Sequence, residues 1–148
     1  LGEFGVKEMT LTAPPARLAP GDWVPQGLPH YAGNLSYCYD LELAAKPERA
    51  LLEIPDYRGV ALEVAVNGGA PVLLPWPPYQ LEIGDALKAG KNTIEVIVLG
   101  HRRNSHGPFY LDTKWPDWTG PHQYHIYTHP AKQLVPCGLF APPVLTIS

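Results

Sequence analysis

The sequence contains little of what several common protein classes require. Only two of its 148 residues are cysteines, the net charge is −3, and lysine and arginine form no cluster. Small domains that depend on disulfides use more cysteines, and nucleic-acid or anionic-membrane partners favour basic surfaces. No apolar run approaches the ~20 residues that span a bilayer. We therefore expect neither a nucleic-acid partner nor a membrane partner.

Long segments without proline or glycine are also scarce. The 18 prolines and 14 glycines make up about 22% of the 148 residues, well above the roughly 12% of average usage. Cutting the chain at each of them leaves one run longer than nine residues, at 34–46. An internal Pro costs a helix about 3 kcal/mol and an internal Gly about 1, so a helical bundle is excluded. A hydrophobic content of 45% supplies a core, which excludes disorder for most of the chain.

The segments between these breakers alternate apolar and polar residues with a period of two, which indicates strands. The clearest predicted strands are 35–43, 60–66, 79–83 and 93–99, with shorter candidates at 6–12, 50–54, 122–128 and 144–147. Ile97 and Leu99 make the 93–99 strand apolar on both faces, which favours a central position in its sheet. Two segments, 14–33 and 101–121, lack this period and are predicted to be long ordered loops.

Turn residues separate the predicted strands. Asn67-Gly68-Gly69 favours a tight reversal into 71–74. Residues 83–89 are predicted to form at most one helical turn, which ends at Gly90. Asn92 is placed to hydrogen-bond neighbouring backbone before the next strand begins. Short strands without a helix to cover them predict two sheets that cover each other. We expect an all-β, two-sheet antiparallel β-sandwich over residues 1–148 as a single domain.

Three segments carry a family resemblance: 62–68 ends an apolar strand in Asn-Gly, 76–83 contains Pro-Tyr, and 87–96 leads through Gly90 and Asn92 into a strand. Together they resemble the galactose-binding-like, jelly-roll modules of glycoside hydrolases, including family 2 sugar-binding domains and rhamnosidase-like enzymes. The likeness covers 34–99 and extends more weakly to Arg103-Asn104, Gly107-Pro108 and the final strand. It implies a non-catalytic accessory module. The start at Leu1 rather than Met leads us to expect a C-terminal fragment or module of a larger protein. An extracytoplasmic location is slightly favoured.

Carbohydrate sites combine an aromatic ring, on which a sugar face stacks, with planar polar groups that bond its hydroxyls. Loop and loop-edge residues of these types are predicted to bind carbohydrate: Trp76, Tyr79, Arg103, Asn104, His106, Trp115 and Trp118. Two alternatives use the same residues. Trp76 and Tyr79 could plug the end of the sandwich, and the loops could dock on a catalytic domain of the same polypeptide without binding sugar.

Catalytic and metal-binding patterns are weak. The sequence has no Gly-x-Ser-x-Gly elbow and no phosphate-binding glycine loop, so no catalytic residue and no cofactor is predicted. His122, His125 and His129 have helical spacing, but Pro121 and Pro130 bracket them and favour an extended segment. A histidine-based metal enzyme is therefore a distant alternative. A structural calcium in a loop stays open, as does pairing of Cys38 with Cys137.

Overall fold

The computed structural model describes residues 4–7, 10–106 and 133–148. Within these ranges the chain is an all-β sandwich of antiparallel strands with a single turn of 3-10 helix at Gly84–Ala86 and one short helix, α1 (Arg103–His106). The strands are β1 (Gly5–Lys7), β2 (Thr10–Thr12), β3 (Gly21–Asp22), β4 (Leu35–Leu43), β5 (Ala50–Glu53), β6 (Tyr57–Arg58), β7 (Ala61–Val66), β8 (Val72–Leu74), β9 (Gln80–Glu82), β10 (Gly90–Leu99), β11 (Gly138–Leu139) and β12 (Val144–Ile147).

Contacts within the chain group it into two compact units. Unit 1 comprises the described residues of Leu1–Ala19, Trp23–Ala32 and His101–Pro136, and unit 2 comprises Pro20–Asp22, Gly33–Gly100 and Cys137–Ser148. The extension of a single domain over residues 1–148 stays a prediction, as does the jelly-roll arrangement.

Three antiparallel sheets build unit 2. The largest has the strand order β4-β10-β7-β8, and the smaller two have the orders β3-β11-β6 and β12-β5-β9. The long strands predicted from alternation are all present, and β10 is paired on both edges, with β4 and with β7. Its central position is therefore confirmed.

Alternation also places the core of unit 2. On β10, Ile94, Val96 and Val98 are buried, whereas Ile97 and Leu99 on its other face are only half-buried. The neighbouring strand β7 is the one that is buried on both faces, because its alanines, Ala61 and Ala65, are covered as well. The sequence thus predicted the correct sheet for burial on both faces, but it assigned that burial to β10 instead of its neighbour β7.

The predicted turns are confirmed, and one strand is corrected. Asn67 and Gly68 adopt positive φ angles of 52° and 73° between the antiparallel strands β7 and β8. Gly90, at φ 84°, opens β10 after the 3-10 turn. The segment predicted as one strand at 6–12 instead contains two short strands, β1 and β2, which pair with each other. The candidate strand 122–128 lies outside the described residues.

Unit 1 is organised around Trp23, which is 1% exposed. Its ring meets Tyr31 edge-on, with 5.9 Å between centroids and 83° between planes. The carbonyl of Trp23 accepts hydrogen bonds from the backbone N–H groups of Gln26 and Leu28, so the proline-rich loop is an ordered turn. Val6 of β1 donates to the Gly27 carbonyl at 2.9 Å and ties the hairpin to this turn.

Candidate functional site

A hollow of about 300 Å³ lies in unit 2 beside Tyr79, one of the residues predicted to bind carbohydrate. It is lined by Pro55, Asp56, Tyr57, Arg58, Gly59 and Tyr79. Five of these six residues are consecutive and run through β6, while Tyr79 directly precedes β9. We call this feature the tyrosine hollow.

The two tyrosines of the hollow form a right-angled corner. Their ring centroids are 4.9 Å apart and their planes meet at 88°, the edge-to-face arrangement that aromatic quadrupoles favour. Burial, followed by interaction with the phenol of Tyr79, raises the pKa of Tyr57 above its usual value of 10.0. The Tyr79 carbonyl accepts from the Ile54 N–H at 2.9 Å, which fixes its backbone beside the end of β5. The corner is therefore held in place by both side chain and main chain.

An ion pair forms the polar side of the hollow. Nη1 of Arg58 donates to Oδ1 of Asp56 and, at 2.9 Å, to the Tyr57 carbonyl. The Arg58 guanidinium also lies 5.5 Å from the ring centroid of Phe140, within cation–π distance. The two charged side chains are 56% and 43% exposed, so their remaining hydrogen-bonding atoms are accessible. Arg58 thus has partners within the protein and is still exposed to a ligand.

The backbone of Asp56 and the glycine at position 59 position the strand β6. The Asp56 carbonyl accepts from the N–H groups of Phe140 and Ala141 at 3.0 and 3.2 Å. A Cβ atom on Gly59 would lie 2.7 Å from the Leu99 carbonyl oxygen, so only glycine lets β6 approach the end of β10 this closely. The segment Asp-Tyr-Arg-Gly at 56–59 therefore combines the polar and aromatic groups of the hollow with the glycine that positions them.

Trp76 lies three residues before Tyr79 and is 73% exposed. The interpretation in which Trp76 plugs the end of the sandwich is therefore wrong. Tyr79 is half-buried, as a residue at the rim of the core would be.

Asn104 of α1, in unit 1, uses its side chain internally. It is 2% exposed, and its amide donates to the Val135 carbonyl at 2.8 Å and accepts from the Val135 N–H at 2.9 Å. Its own carbonyl lies 2.8 Å from Nδ1 of His30. Neighbouring Arg103 is half-buried, and burial lowers the pKa of its guanidinium. Asn104 thus joins α1 to two other segments of unit 1.

The other predicted contacts are distributed as follows. Trp76 and Tyr79 belong to unit 2, while Arg103 and Asn104 belong to unit 1. Trp115, Trp118, the side chain of His106 and the three histidines at 122, 125 and 129 lie outside the described residues. Carbohydrate binding by the predicted residues of unit 1 stays a prediction.

Metal and membrane features can be stated for the described part of the chain only. There, no three His, Cys, Asp or Glu side chains gather as metal ligands would, and no helix has the length and apolarity to cross a membrane. Cys38 is exposed on β4 and Cys137 is buried, and no disulfide joins them.

Comparisons with known proteins extend the resemblance seen in the sequence. Neither a family model nor a curated protein matches the chain. Among solved structures, it is similar to a rhamnosidase from Novosphingobium sp. PP1Y, with 28% identity over 80% of this chain and a TM-score of 0.57. A GH2 beta-galacturonidase from Eisenbergiella tayi, bound to glycerol, matches 96% of the chain at 19% identity and a TM-score of 0.47.

The chain corresponds to only a small part of each matched enzyme. The chain spans 11% of the rhamnosidase chain and 22% of the galacturonidase chain. The predicted resemblance to an accessory domain of glycoside hydrolases is confirmed by the rhamnosidase match, which involves a module-sized part of that enzyme.

Proposed function

We propose that this chain is a non-catalytic accessory module of a glycoside hydrolase that binds carbohydrate at the tyrosine hollow. The observation that carries the proposal is the pairing of an aromatic corner, Tyr57 and Tyr79, with a fixed but accessible ion pair, Arg58 and Asp56. Trp76, exposed three residues before Tyr79, is a further aromatic surface for the same ligand.

The chemistry of the hollow suits a sugar. The C–H face of a pyranose packs against an aromatic ring, while its hydroxyls need donors and acceptors in fixed directions. Arg58 offers the remaining N–H groups of a planar guanidinium, and Asp56 offers carboxylate lone pairs. Because Arg58 is already oriented by Asp56, by the Tyr57 carbonyl and by the Phe140 ring, a ligand would not bear the cost of ordering it.

The same residues support a binding role rather than a hydrolytic one. A glycosidase places two carboxylates about 5–10 Å apart across the scissile bond. Among the lining residues of the hollow only Asp56 carries a carboxylate, and Arg58 already pairs with it. The catalytic residues of the parent enzyme would then belong to another part of a longer polypeptide. The similarity to a rhamnosidase makes rhamnose-containing glycans the first ligands to test.

Titration calorimetry against rhamnose-terminated oligosaccharides tests the proposal. We expect Arg58→Ala and Tyr79→Ala each to weaken binding at least about tenfold, which corresponds to about 1.4 kcal/mol. Arg49→Ala is the matched control for Arg58→Ala, because Arg49 is an exposed arginine paired with Glu82 outside the hollow. Circular dichroism and thermal melting of each variant would establish that the fold is kept. Unchanged affinity in both hollow variants would overturn the site.

Docking on a catalytic domain is the second candidate function, and one observation favours it. Residues 68–78 carry no charge, and three of their large apolar side chains, Val72, Leu73 and Trp76, are 46, 50 and 73% exposed. Exposed apolar surface of this kind marks contact sites. A Trp76→Ala variant separates the functions: loss of sugar binding supports a carbohydrate role for Trp76, and loss of domain association with intact sugar binding supports docking.

A further inference from the structure

We infer that the tyrosine hollow takes a single neutral sugar ring at the end of a glycan, rather than an internal stretch of polysaccharide or an acidic sugar. This inference rests on the proposed carbohydrate function and specifies its ligand class. It follows from the shape, the size and the charge of the hollow.

The shape of the aromatic surface sets the first limit. Platforms that bind extended polysaccharide present several rings along one plane, so that successive sugars stack on successive rings. Tyr57 and Tyr79 instead meet at 88°, with one ring's edge against the other's face. A corner of this kind offers no single plane along which successive sugars of a chain could stack. A terminal residue fits it, because only one side of that residue is linked to the glycan.

The size of the hollow agrees with this limit. Its volume of about 300 Å³ is at the lower end of the ~300–1,000 Å³ range of small-molecule pockets. The larger depression in unit 2, about 610 Å³, is lined by charged, amide, hydroxyl and aliphatic residues and by no aromatic one among the described residues. That larger depression therefore adds no aromatic surface to the hollow.

The charge of the hollow sets the last limit. Its lining contains one cation, Arg58, and one anion, Asp56, and these two are paired. A uronic acid would bring a second carboxylate towards Asp56 and would compete with it for Arg58. A neutral sugar can instead accept from the remaining N–H groups of Arg58 and donate to Asp56 while the pair stays intact. Neutral rings are therefore favoured over acidic ones.

Four probes in titration calorimetry test the inference: methyl α-L-rhamnoside, a trisaccharide with rhamnose at its non-reducing end, the same trisaccharide capped at that end by a further sugar, and a methyl galacturonide. We expect the first two to bind within about threefold of each other. The capped trisaccharide and the galacturonide should bind at least about tenfold more weakly, a difference of about 1.4 kcal/mol. Affinity that is unchanged by the cap, or that grows with the internal chain, would overturn end-binding.

Replacing Asp56 tests how the charge of the hollow selects its ligand. Asp56→Asn removes the competing carboxylate and releases Arg58, so we expect it to raise the affinity for galacturonide relative to rhamnoside at least about tenfold. Asp40→Asn, an exposed aspartate on β4 outside the hollow, is the matched control and should leave the ratio unchanged. An unchanged ratio in Asp56→Asn overturns the selectivity for neutral sugars. Binding of internal chains alone refutes the inference but keeps the proposed function, whereas no binding of any glycan refutes both.

Discussion

Two asparagine side chains fasten the turn between β7 and β8 to the start of β10. Asn92, 2% exposed, donates to the carbonyls of Lys88 and Gly90 at 2.8 and 3.0 Å and accepts from the Lys88 N–H at 2.9 Å. Its Oδ1 also accepts from Nδ2 of Asn67 at 2.9 Å, and Oδ1 of Asn67 accepts from the Thr93 N–H. All polar atoms of the Asn92 amide are thus satisfied inside the protein, where an unpaired group would be costly.

Replacing Asn92 by alanine should therefore destabilise the fold by roughly 2–4 kcal/mol, because a side chain that is 2% exposed loses four hydrogen bonds. The free energy of unfolding from urea denaturation measures this. Lys91→Ala, one residue earlier and exposed, is the control and should change that free energy by less than about 0.5 kcal/mol. Equal midpoints for the two variants would show that the amide network contributes nothing.

The sequence predicted the local hydrogen bonds of Asn92 but not its bond to Asn67. The Gly-Lys-Asn motif predicted that Asn92 bonds nearby backbone, because its partners at positions 88 and 90 are local. It could not reveal the bond to Asn67, because that partner is 25 residues away and lies beside Asn92 only after β7 and β10 have paired. The same holds for Asn104, whose motif suggested a ligand contact but whose amide partner, Val135, is 31 residues distant.

Among the strands, burial separates two leucines on neighbouring members of the largest sheet. Leu62 on β7 is 0% exposed, whereas Leu73 on β8 is 50% exposed. We expect Leu62→Ala to cost roughly 2–5 kcal/mol, since the lost methyl groups leave a cavity in a packed interior. Leu73→Ala should cost less than about 1 kcal/mol, because its side chain already contacts water.

Chemical denaturation gives the free energy of unfolding of both variants. Because both replace leucine by alanine, a difference between their costs reports the difference in burial. A cost for Leu73→Ala equal to that of Leu62→Ala would mean that β8 is covered in solution. The docking hypothesis predicts such covering only when the catalytic domain is present. The same pair of variants measured with and without that domain therefore distinguishes a bare strand from a docked one.

Strand length explains which elements could be predicted. The strands β4, β7, β10 and β12 are four to ten residues long, so their period of two is visible in the sequence. The strands β3, β6 and β11 have two residues each and define no period. Because β6 carries Tyr57 and Arg58, most of the tyrosine hollow was missed, and only Tyr79 was predicted. The Asp-Tyr-Arg-Gly segment at 56–59 was the available signal.

Over the whole molecule, composition predicted the fold class but not the grouping of segments. Proline and glycine confined the chain to short strands and long loops, and the structure is an all-β sandwich. The two compact units are instead defined by contacts such as that between His30 and Asn104, which are 74 residues apart. No local pattern encodes such a contact. Among the described residues of unit 1, most belong to the segments 14–19, 23–32 and 101–106, which lack periodicity in the sequence.

Tyrosine ionisation makes the stability of the whole molecule sensitive to alkali. Burial is the main cause that raises the pKa of Tyr37, Tyr39 and Tyr57 above the usual 10.0. In the unfolded chain these phenols lose their protons near pH 10, while in the folded chain they keep them to higher pH. The folded state then holds more protons than the unfolded state, so stability falls as pH rises. The stabilisation is complete below pH 10 and is lost progressively above it.

Tyr57→Phe removes a phenol whose pKa is raised chiefly by burial, and it should flatten this alkaline decline in stability. The free energy of unfolding, measured from pH 7 to beyond pH 10 for both proteins, separates two effects. The difference in free energy at pH 7 reports the loss of the hydroxyl group, and any narrowing of that difference above pH 10 reports the loss of its titration. Ultraviolet absorbance of the phenolate gives an independent titration of the folded protein. A decline of the same steepness in Tyr57→Phe, or phenolate forming fully near pH 10 in the folded wild type, would contradict a raised pKa of Tyr57.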